Sequence, residues 1–387
     1  MNGTKGRQMK TVLISGGAGF IGRKLAIHLA NRGDAIRIMD NLSPQIHGEV
    51  PDDLDWLKVS NIELHRGSVT SRADWRRSLT GVDCVVHLAA ETGTGQSMYE
   101  VARYDEVNSY GTALLLDSLA EQGSHSVERI LLASSRSVYG EGRYHCDSCG
   151  LSPVYPSSRS ASQLKSHLWE HACPQCSAPL SAQATKETDK ERPGSIYAAT
   201  KLAQEHLVRI SAESFGLGYA TFRFQNVYGE GQSLKNPYTG ILSIFSTRIR
   251  RQLELPLFED GLESRDFVHV DDVVRALVKG IDAGRHPNTV FNVGSGIPTS
   301  VSEVASELSL ALNQSPKLTV TSQYRHGDIR HNFADISKIE KILGVTPQVD
   351  LKTGLKRFAE WVLTQPLPED LLEKANKELS DRALMGN

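Results

Sequence analysis

The stretch KTVLISGGAGFIG, residues 10–22, decides the fold of this 387-residue chain. A short β-branched run leads into Gly16, Gly19 and Gly22, and a helix-forming pattern begins at Phe20. Small residues are needed where a strand turns tightly into a helix and the backbone must approach a pyrophosphate closely. The N–H groups at the start of such a helix bind negative charge. The stretch therefore predicts a dinucleotide-binding turn.

The strand and helix patterns continue beyond this turn. The runs AIRIMD (35–40), NIELHRG (61–67), VDCVVHLAA (82–90) and RILLASS (129–135) are strand candidates, with helical patterns between them. Alternation of this kind predicts a parallel sheet covered on both faces. After residue 230 the elements become shorter and mixed. We therefore expect an α/β protein with a Rossmann-type doubly wound sheet and a smaller mixed C-terminal lobe.

The composition limits the classes of function. The chain is 39% hydrophobic and 23% charged, which is ordinary for a soluble globular enzyme. A formal net charge of −2 gives no general attraction to nucleic acid or to an anionic membrane. The N-terminal residues are polar and basic and lack the apolar stretch of a signal peptide, which predicts a reducing, cytoplasmic location.

The second predicted strand ends at Asp40, where a carboxylate can bind the hydroxyls of an adenosine ribose. A carboxylate there would repel a 2′-phosphate, so NAD is favoured over NADP. The alternative is an ordinary strand-end aspartate that caps a loop. The residues predicted to contact NAD are Gly16, Gly19, Phe20, Ile21, Gly22, Asp40, Asn41, Leu88, Ala89, Ala90, Tyr197 and Lys201.

Three residues have the properties of a catalytic set. Tyr197 and Lys201 are separated by four positions on a predicted helix, so they share one face. A phenol with a pKa near 10 is a poor base, but a neighbouring ammonium and a positive nicotinamide ring stabilise its phenolate. Ser135, at the end of the preceding strand, is placed to hold a substrate hydroxyl. The alternative is a chance Tyr-x-x-x-Lys pair on a helix surface.

These residues bring the chain close to a known family. Over residues 10–360, apart from the cysteine-bearing part, it resembles the extended short-chain dehydrogenase/reductase family, in its UDP-galactose 4-epimerase-like branch of nucleotide-sugar epimerases and dehydratases. The resemblance rests on the motifs GGAGFIG, HLAA, SSRSVYG, YAATK, RFQNVYG and RDFVHVDD. It implies tightly held NAD and a nucleoside-diphosphate sugar in a cleft between two lobes. The loop ETGTGQSMYE (91–100) is similar to that of zinc-knuckle 4-epimerases acting on deoxyhexoses such as dTDP-L-rhamnose.

The resemblance also implies individual roles. Tyr197 is the base, Lys201 its partner and Ser135 the orienting hydroxyl. A dianionic diphosphate in a nearly neutral protein needs guanidinium groups, which bind phosphate oxygens in pairs; a solvated surface charge is the alternative for each arginine. The predicted substrate contacts are Ser135, Arg136, Ser137, Asn226, Arg265, Arg325 and Asp328.

The residues after Ser135 distinguish between reactions. Dehydratases of the family carry an Asp-Glu pair there, whereas this chain has Arg136 and Ser137. We therefore expect epimerisation, at C4, through a transient 4-keto sugar. A nucleotide-sugar reductase, dehydrogenase or dehydratase is the alternative enzyme, and a noncatalytic NAD-binding interaction protein is the alternative from another class. The family implies a homodimer formed through helices at about 98–122 and 196–216.

Two CxxC pairs interrupt the enzyme pattern between Ser135 and Tyr197. Their spacing is close to that of a zinc ribbon, and four thiolates would fill the shell of a structural Zn²⁺. A redox dithiol or idle thiols are the alternatives, and Cys84 is expected to be packed core. The predicted metal ligands are Cys146, Cys149, Cys173 and Cys176.

The predicted divisions of the chain follow from these features. They are a Rossmann part at 10–140, a zinc-knuckle insertion at 141–190, the rest of the Rossmann part with the catalytic helix at 191–230, a sugar-nucleotide lobe at 231–364, and a charged, peripheral tail at 365–387.

Overall fold

A computed structural model describes residues 9–48, 54–121, 125–234, 236, 240–284 and 287–386. Residues 1–8, on which the signal-peptide interpretation rests, lie outside the described part. Within the described ranges, no helix is both long enough and apolar enough to cross a membrane.

The strands, in chain order, are β1 Thr11–Ser15, β2 Ala35–Asp40, β3 Ile62–Arg66, β4 Cys84–His87, β5 Arg129–Ser135, β6 Arg143–His145, β7 Ser181–Gln183, β8 Gly218–Phe224, β9 Asn226–Tyr228, β10 Leu255–Leu257, β11 Ser264–His269, β12 Thr289–Val293, β13 Pro298–Ser300, β14 Leu318–Val320, β15 Tyr324–Arg325, β16 His331–Asn332 and β17 Met385–Gly386.

The α-helices are α1 Phe20–Asn31, α2 Pro44–His47, α3 Arg72–Leu79, α4 Thr94–Ser97, α5 Val101–Tyr104, α6 Gly111–Glu121, α7 Ala161–Lys165, α8 Ile196–Phe215, α9 Ile241–Arg250, α10 Val270–Asp282, α11 Val301–Ala311, α12 Ser337–Leu343, α13 Leu351–Thr364 and α14 Leu372–Ser380. Short 3-10 helices span Asp55–Lys58 and Arg136–Tyr139, and a π-helical segment spans Asp105–Tyr110.

Seven parallel strands form the main sheet in the order β12-β8-β5-β4-β1-β2-β3. Alternate side chains enter opposite cores: Val12 and Ile14 pack on the face covered by α1 and α10, and Leu13 packs on the other. The strand order reverses between β1 and β4. In such sheets the ligand crevice lies at the carboxyl ends of the strands beside this reversal.

The glycine turn after β1 is fixed by backbone crowding. Gly16 has φ +68°, and a Cβ built on it would lie 2.7 Å from the backbone nitrogen of Ala89. A Cβ on Gly22 would lie 2.6 Å from the carbonyl oxygen of Gly16. The first helix can therefore begin this close to β1 and β4 only because both positions lack a side chain.

The helix expected at 97–122 is broken into α4, α5, the π-helical segment and α6. Asn108 in the π-helical segment is fully buried, and its amide nitrogen donates to the carbonyl oxygen of Glu91 and to the hydroxyl of Thr200. Such segments are common at functional sites, because the extra residue re-aims a side chain. Periodicity alone does not reveal this local change.

The C-terminal lobe packs around its own apolar core, formed by α9, α11 and α13 with β10 and β11. Its strands β9 and β11 pair in parallel, so the lobe starts directly beside the end of β8. The insertion at 141–190 is anchored by antiparallel pairing of β6 with β7. The chain thus has the Rossmann-type sheet, the mixed lobe and the four-cysteine insertion that the sequence predicted.

The tail differs from the expectation of a peripheral segment. Leu372, Ala375 and Leu379 of α14 line a cavity in the C-terminal lobe, and β17 pairs with β15. The apolar side of the helix faces the protein, which the many charges of the tail obscured.

We expect the change Gly16→Ala to destabilise the fold more than Gly81→Ala does. Both glycines have nearly the same positive φ, +68° and +70°, but a Cβ on Gly81 meets nothing within 4 Å. Gly81→Ala should lose about 1 kcal/mol of unfolding free energy from the left-handed backbone alone. Gly16→Ala should lose about 1–3 kcal/mol more from overpacking. Urea denaturation measures both, and equal losses would contradict the crowding at Ala89.

Candidate active site and four-cysteine lobe

A cavity of about 480 Å³ lies at the carboxyl ends of the sheet strands. The glycine turn, the end of β2, the residues after β4 and the residues after β5 surround it. Every residue predicted to contact NAD lines this cavity: Gly16, Gly19, Phe20, Ile21, Gly22, Asp40, Asn41, Leu88, Ala89, Ala90, Tyr197 and Lys201.

Asp40 is almost fully buried at the edge of this cavity. One carboxylate oxygen accepts from the backbone nitrogen of Ala18 at 3.0 Å, and the other accepts from that of Leu42 at 2.8 Å. The strand-end aspartate therefore holds the glycine turn and caps its own loop. The free lone pairs of its oxygens remain available to a ribose, since a carboxylate accepts more than two hydrogen bonds.

Tyr197 and Ser135 meet in the same cavity. Ser195 caps α8 by accepting from the backbone nitrogen of Ala198 at 3.2 Å, which starts the helix at Ile196, one residue before the tyrosine. Burial raises the pKa of Tyr197, while a hydrogen bond with Ser135 and the guanidinium of Arg136 lower it. Arg136 is thus a cation facing the phenol, which sequence reasoning had assigned to the substrate alone.

Lys201 lines the cavity one helical turn further along and is 3% exposed. Its ammonium nitrogen donates to Oε1 of Gln204 at 2.8 Å. Burial lowers the pKa of Lys201 to about 7, against the opposing effect of Glu205. The amide nitrogen of Gln204 donates to the hydroxyl of Thr112, which is in turn hydrogen-bonded to His87. Burial lowers the pKa of His87 to about 3. His87 is therefore a neutral histidine within the core.

A second cavity, of about 200 Å³, adjoins the first. The two share the lining residues Asn226, Gly240, Ile241 and Phe267. Of the predicted substrate residues, Ser135, Arg136, Ser137 and Asn226 line the first cavity, and Asn226, Arg265, Arg325 and Asp328 line the second.

Three guanidinium groups gather at this junction. Arg136 donates from Nε to Asn226 Oδ1 at 2.9 Å, and Arg265 donates to Asp328 Oδ1 at 2.9 Å. Arg325 stacks on the ring of Phe258 at 4.5 Å, and its buried Nε has no hydrogen-bond partner in the described structure. Burial and Arg265 together lower the pKa of Arg136 to about 10. The junction therefore has an excess of positive charge suited to a diphosphate.

Arg265 differs from the expected phosphate ligand in one respect. Its Nη1 donates to the carbonyl oxygens of Ser264 and Arg330, and its Nη2 also donates to that of Ile329. These backbone bonds fix the guanidinium in place. Arg265 thus contributes a positioned charge, whereas Arg136 and Arg325 keep donors free of backbone partners.

The four cysteines come together in the insertion. Sγ of Cys146 lies 3.5 Å from that of Cys176, Sγ of Cys149 lies 3.6 Å from that of Cys173, and all four lie within 4.8 Å of one another. Zinc–thiolate bonds of about 2.3 Å in a tetrahedron place sulfur atoms about 3.8 Å apart. The cluster therefore fits a tetrahedral metal ion. Cys84 is buried in β4, apart from the cluster.

The insertion is bound to the C-terminal lobe by buried charge. Arg159, with its side chain 1% exposed, donates to both oxygens of Glu259 at 2.7 and 2.8 Å, and also to the carbonyl oxygen of Asp328. Glu170 pairs with Arg330 at 2.7 Å. Both contacts reach the segment that carries Asp328. The four-cysteine lobe therefore braces the second cavity.

Sequence reasoning missed several residues of the second cavity. Helix α14 contributes Leu372, Ala375 and Leu379, and Glu263 lies two positions before Arg265. Period-two alternation along β11 places residues 263 and 265 on the same face, so that signal was present in the sequence. The tail carried a signal too, because Leu372, Ala375 and Leu379 are spaced at i, i+3 and i+7, but its many charges led to the prediction of a peripheral segment.

Comparison with known proteins identifies the family to which this chain belongs. Residues 12–167 and 171–294 match the NAD dependent epimerase/dehydratase family. The chain belongs to this family. Its match spans the glycine turn, the insertion, the tyrosine helix and part of the C-terminal lobe.

Individual members of the family agree with this assignment. A dTDP-L-rhamnose 4-epimerase of Burkholderia thailandensis is 38% identical over 361 residues, covering 91% of this chain and 95% of that protein. The UDP-glucose 4-epimerase of Thermotoga maritima with UDP-glucose is similar at TM-score 0.72 and 28% identity, covering 91% of this chain and 98% of that one. MoeE5 in complex with UDP-glucuronic acid and NAD gives TM-score 0.72 and 29% identity, covering 91% and 99%. The predicted fold, family and enzyme class, an NAD-dependent nucleotide-sugar 4-epimerase, are confirmed.

We expect the change Arg159→Met to reduce the free energy of unfolding by about 3 kcal/mol, because it leaves buried Glu259 with fewer cationic partners. The matched control is Arg209→Met, whose pair with Glu213 is exposed and should contribute less than about 1 kcal/mol. Urea denaturation of both variants is the measurement. Equal effects would show that the Arg159 contact does not hold the insertion in place.

Proposed function

We propose that this protein binds NAD in the larger cavity and interconverts the C4 epimers of a nucleoside-diphosphate deoxyhexose, with dTDP-L-rhamnose as the first candidate. The observation that carries the proposal is the meeting of Tyr197 and Ser135 in the cavity formed by the glycine turn. The 38% identical relative named for dTDP-L-rhamnose supports the choice of sugar.

The roles of the chain's own residues follow from their positions. NAD, when bound, supplies a reversible acceptor for the hydride of C4. Tyr197 removes the proton of the 4-hydroxyl group and returns it after the keto sugar has turned its other face. Ser135, which lines the same cavity as the phenol, orients that hydroxyl, and Lys201 contributes positive charge on the same helix face. The sugar ends with C4 inverted and no net redox change.

The residues after Ser135 support epimerisation over dehydration. Arg136 and Ser137 line the cavity where a dehydratase needs an extra acid and base, and neither side chain is a carboxylic acid. Arg136 is instead bonded to Asn226 at the diphosphate junction. A 27% identical dTDP-glucose 4,6-dehydratase of Streptomyces griseus keeps dehydration as the second candidate at the family level. A net reductase would consume NADH, and the same assay detects that.

We further propose that Cys146, Cys149, Cys173 and Cys176 hold one structural Zn²⁺. Four thiolates fill a tetrahedral shell and leave no position for substrate. The small apolar core of the insertion includes two of the ligands themselves, Cys146 and Cys173, so a metal would add cohesion that the core lacks.

Two further expectations stay predictions. A homodimer is supported by exposed apolar side chains near the expected helices, among them Tyr110 and Ile210. A cytoplasmic location is the second of these predictions.

The change Tyr197→Phe should lower kcat for epimerisation of dTDP-L-rhamnose by about 10²- to 10⁴-fold, because the variant lacks the proton-transferring hydroxyl. Bound NAD should be retained. Tyr110→Phe, which removes a hydroxyl from an exposed tyrosine, is the control and should keep full activity. NMR detection of the C4 epimer, with UDP-glucose as a comparison substrate, measures the rate. Full activity of Tyr197→Phe would exclude the proposed base.

Elemental analysis should find one zinc per chain in the native protein and none in Cys173→Ser. Hydrogen exchange should rise across residues 143–183 in that variant, because the insertion loses its metal, while NAD content stays unchanged. Cys84→Ala is the control and should keep its zinc, since Cys84 lies in the sheet. A Cys173→Ser protein that kept an ordered insertion but lost its NAD would contradict this division of roles.

A further inference from the structure

The second cavity contains a buried acid that the proposed chemistry does not use. Glu263 is 7% exposed and lines this cavity beside Arg265. Its Oε2 is buried and has no hydrogen-bond partner among the described residues. Burial raises the pKa of Glu263 to about 7, although the neighbouring Arg265 lowers it. Leaving a buried carboxylate oxygen unpaired is costly, so a donor from a ligand would relieve this cost.

The rest of the cavity is shaped for a flat apolar ring. The aromatic ring of Phe258 and the side chain of Pro256 form part of the wall, and Glu263, Gln96 and the charged junction supply its polar positions. The remaining wall is largely aliphatic or aromatic: Ile244, Phe245, Val301, Leu372, Ala375 and Leu379. Aromatic rings and apolar walls bind nucleobases by stacking and exclusion of water.

Helix α14 is held firmly against this cavity. Asn376 accepts from Nη2 of Arg325 at 3.0 Å, and the hydroxyl of Tyr99 donates to Glu378 at 3.2 Å. Tyr324 pairs with Gly386 across β15 and β17. The wall is therefore fixed to both the loop after β4 and the arginine junction.

The order of groups along the two cavities matches a nucleotide sugar. Tyr197 and Ser135 lie in the first cavity, Arg136 and Arg325 lie about the junction, and Glu263 lies in the second cavity. A sugar at the tyrosine and a diphosphate at the arginines would put the base of the same molecule in the second cavity. This step rests on the proposed function.

We propose that Glu263 selects the base of the bound nucleotide by accepting a hydrogen bond from the imide N3–H of thymine or uracil. Above the raised pKa, where Glu263 is a carboxylate, it repels the N3 acceptor of cytosine, and guanine presents two adjacent donors to a site with one unpaired oxygen. Helix α14 completes the apolar wall around the ring. Glu263 is thereby a specificity-determining residue.

The test measures binding of dTDP and of N3-methyl-dTDP to the NAD-loaded protein by calorimetry at about pH 8.5, above the raised pKa of Glu263, where its side chain is a carboxylate. In the native protein, N3-methylation should weaken binding about 10- to 100-fold, the value of a hydrogen bond to a charged group. In Glu263→Met, both ligands should bind with about the same weakened affinity, because the acceptor is gone. CDP should bind the native protein at least about 10-fold more weakly than dTDP or UDP.

Two further variants keep the test decisive. Glu263→Gln retains a carbonyl acceptor and should still distinguish dTDP from its N3-methyl form, which covers the case in which Glu263→Met does not fold. Glu303→Met removes an exposed acid on α11 and should bind dTDP as the native protein does.

The outcomes separate the two proposals. If the native protein binds dTDP and N3-methyl-dTDP equally, or binds CDP as tightly as dTDP, the role of Glu263 is excluded and the epimerase proposal stands. If it binds neither dTDP nor UDP, both the base site and the proposed nucleotide-sugar function are excluded.

Discussion

An excess of buried positive charge at the junction of the two cavities is the constraint on which the rest of the structure depends. Arg136 follows β5, Arg265 belongs to β11 and Arg325 to β15, so three separate parts of the chain each contribute one guanidinium. Against the opposing effect of burial, Arg265, Arg325 and Arg136 hold the pKa of Asp328 below its usual range. Two carboxyl groups, Asp328 and Glu263, do not neutralise three cations. The charge is therefore organised in advance for an anionic ligand, whose binding then needs little rearrangement.

The same constraint explains how the insertion is attached. Arg159 extends from the four-cysteine lobe to Glu259 and to the backbone of Asp328, so the lobe stabilises the segment that carries the junction. A lobe with so small a core gains order from its cysteine cluster and from these buried ion pairs. Its place between Ser135 and Tyr197 in the chain puts its entrance and exit beside the active site. The insertion is thus part of the frame of the nucleotide end of the cleft.

The ionisation of Tyr197 and of Lys201 depends on the charges that surround them in the cavity. Burial favours the neutral form of both groups, raising the pKa of Tyr197 and lowering that of Lys201 to about 7. The Ser135 hydrogen bond and Arg136 act in the opposite direction on the phenol. Positive charge that entered the cavity with the cofactor would act on the phenol in the same direction as Arg136 does.

The sequence by itself determined the features that depend on neighbouring residues. Turn sterics identified Gly16 and Gly22, helical spacing placed Tyr197 and Lys201 on one face of α8, and the CxxC pairs predicted the cysteine cluster. The tertiary structure alone decided the break at Asp105–Tyr110, the docking of α14 on the second cavity, the burial of Arg159 and the unpaired oxygen of Glu263. Each of these depends on atoms far away in the chain. Local periodicity contains no information about which distant side chain will pair with a given donor or acceptor, or whether any will.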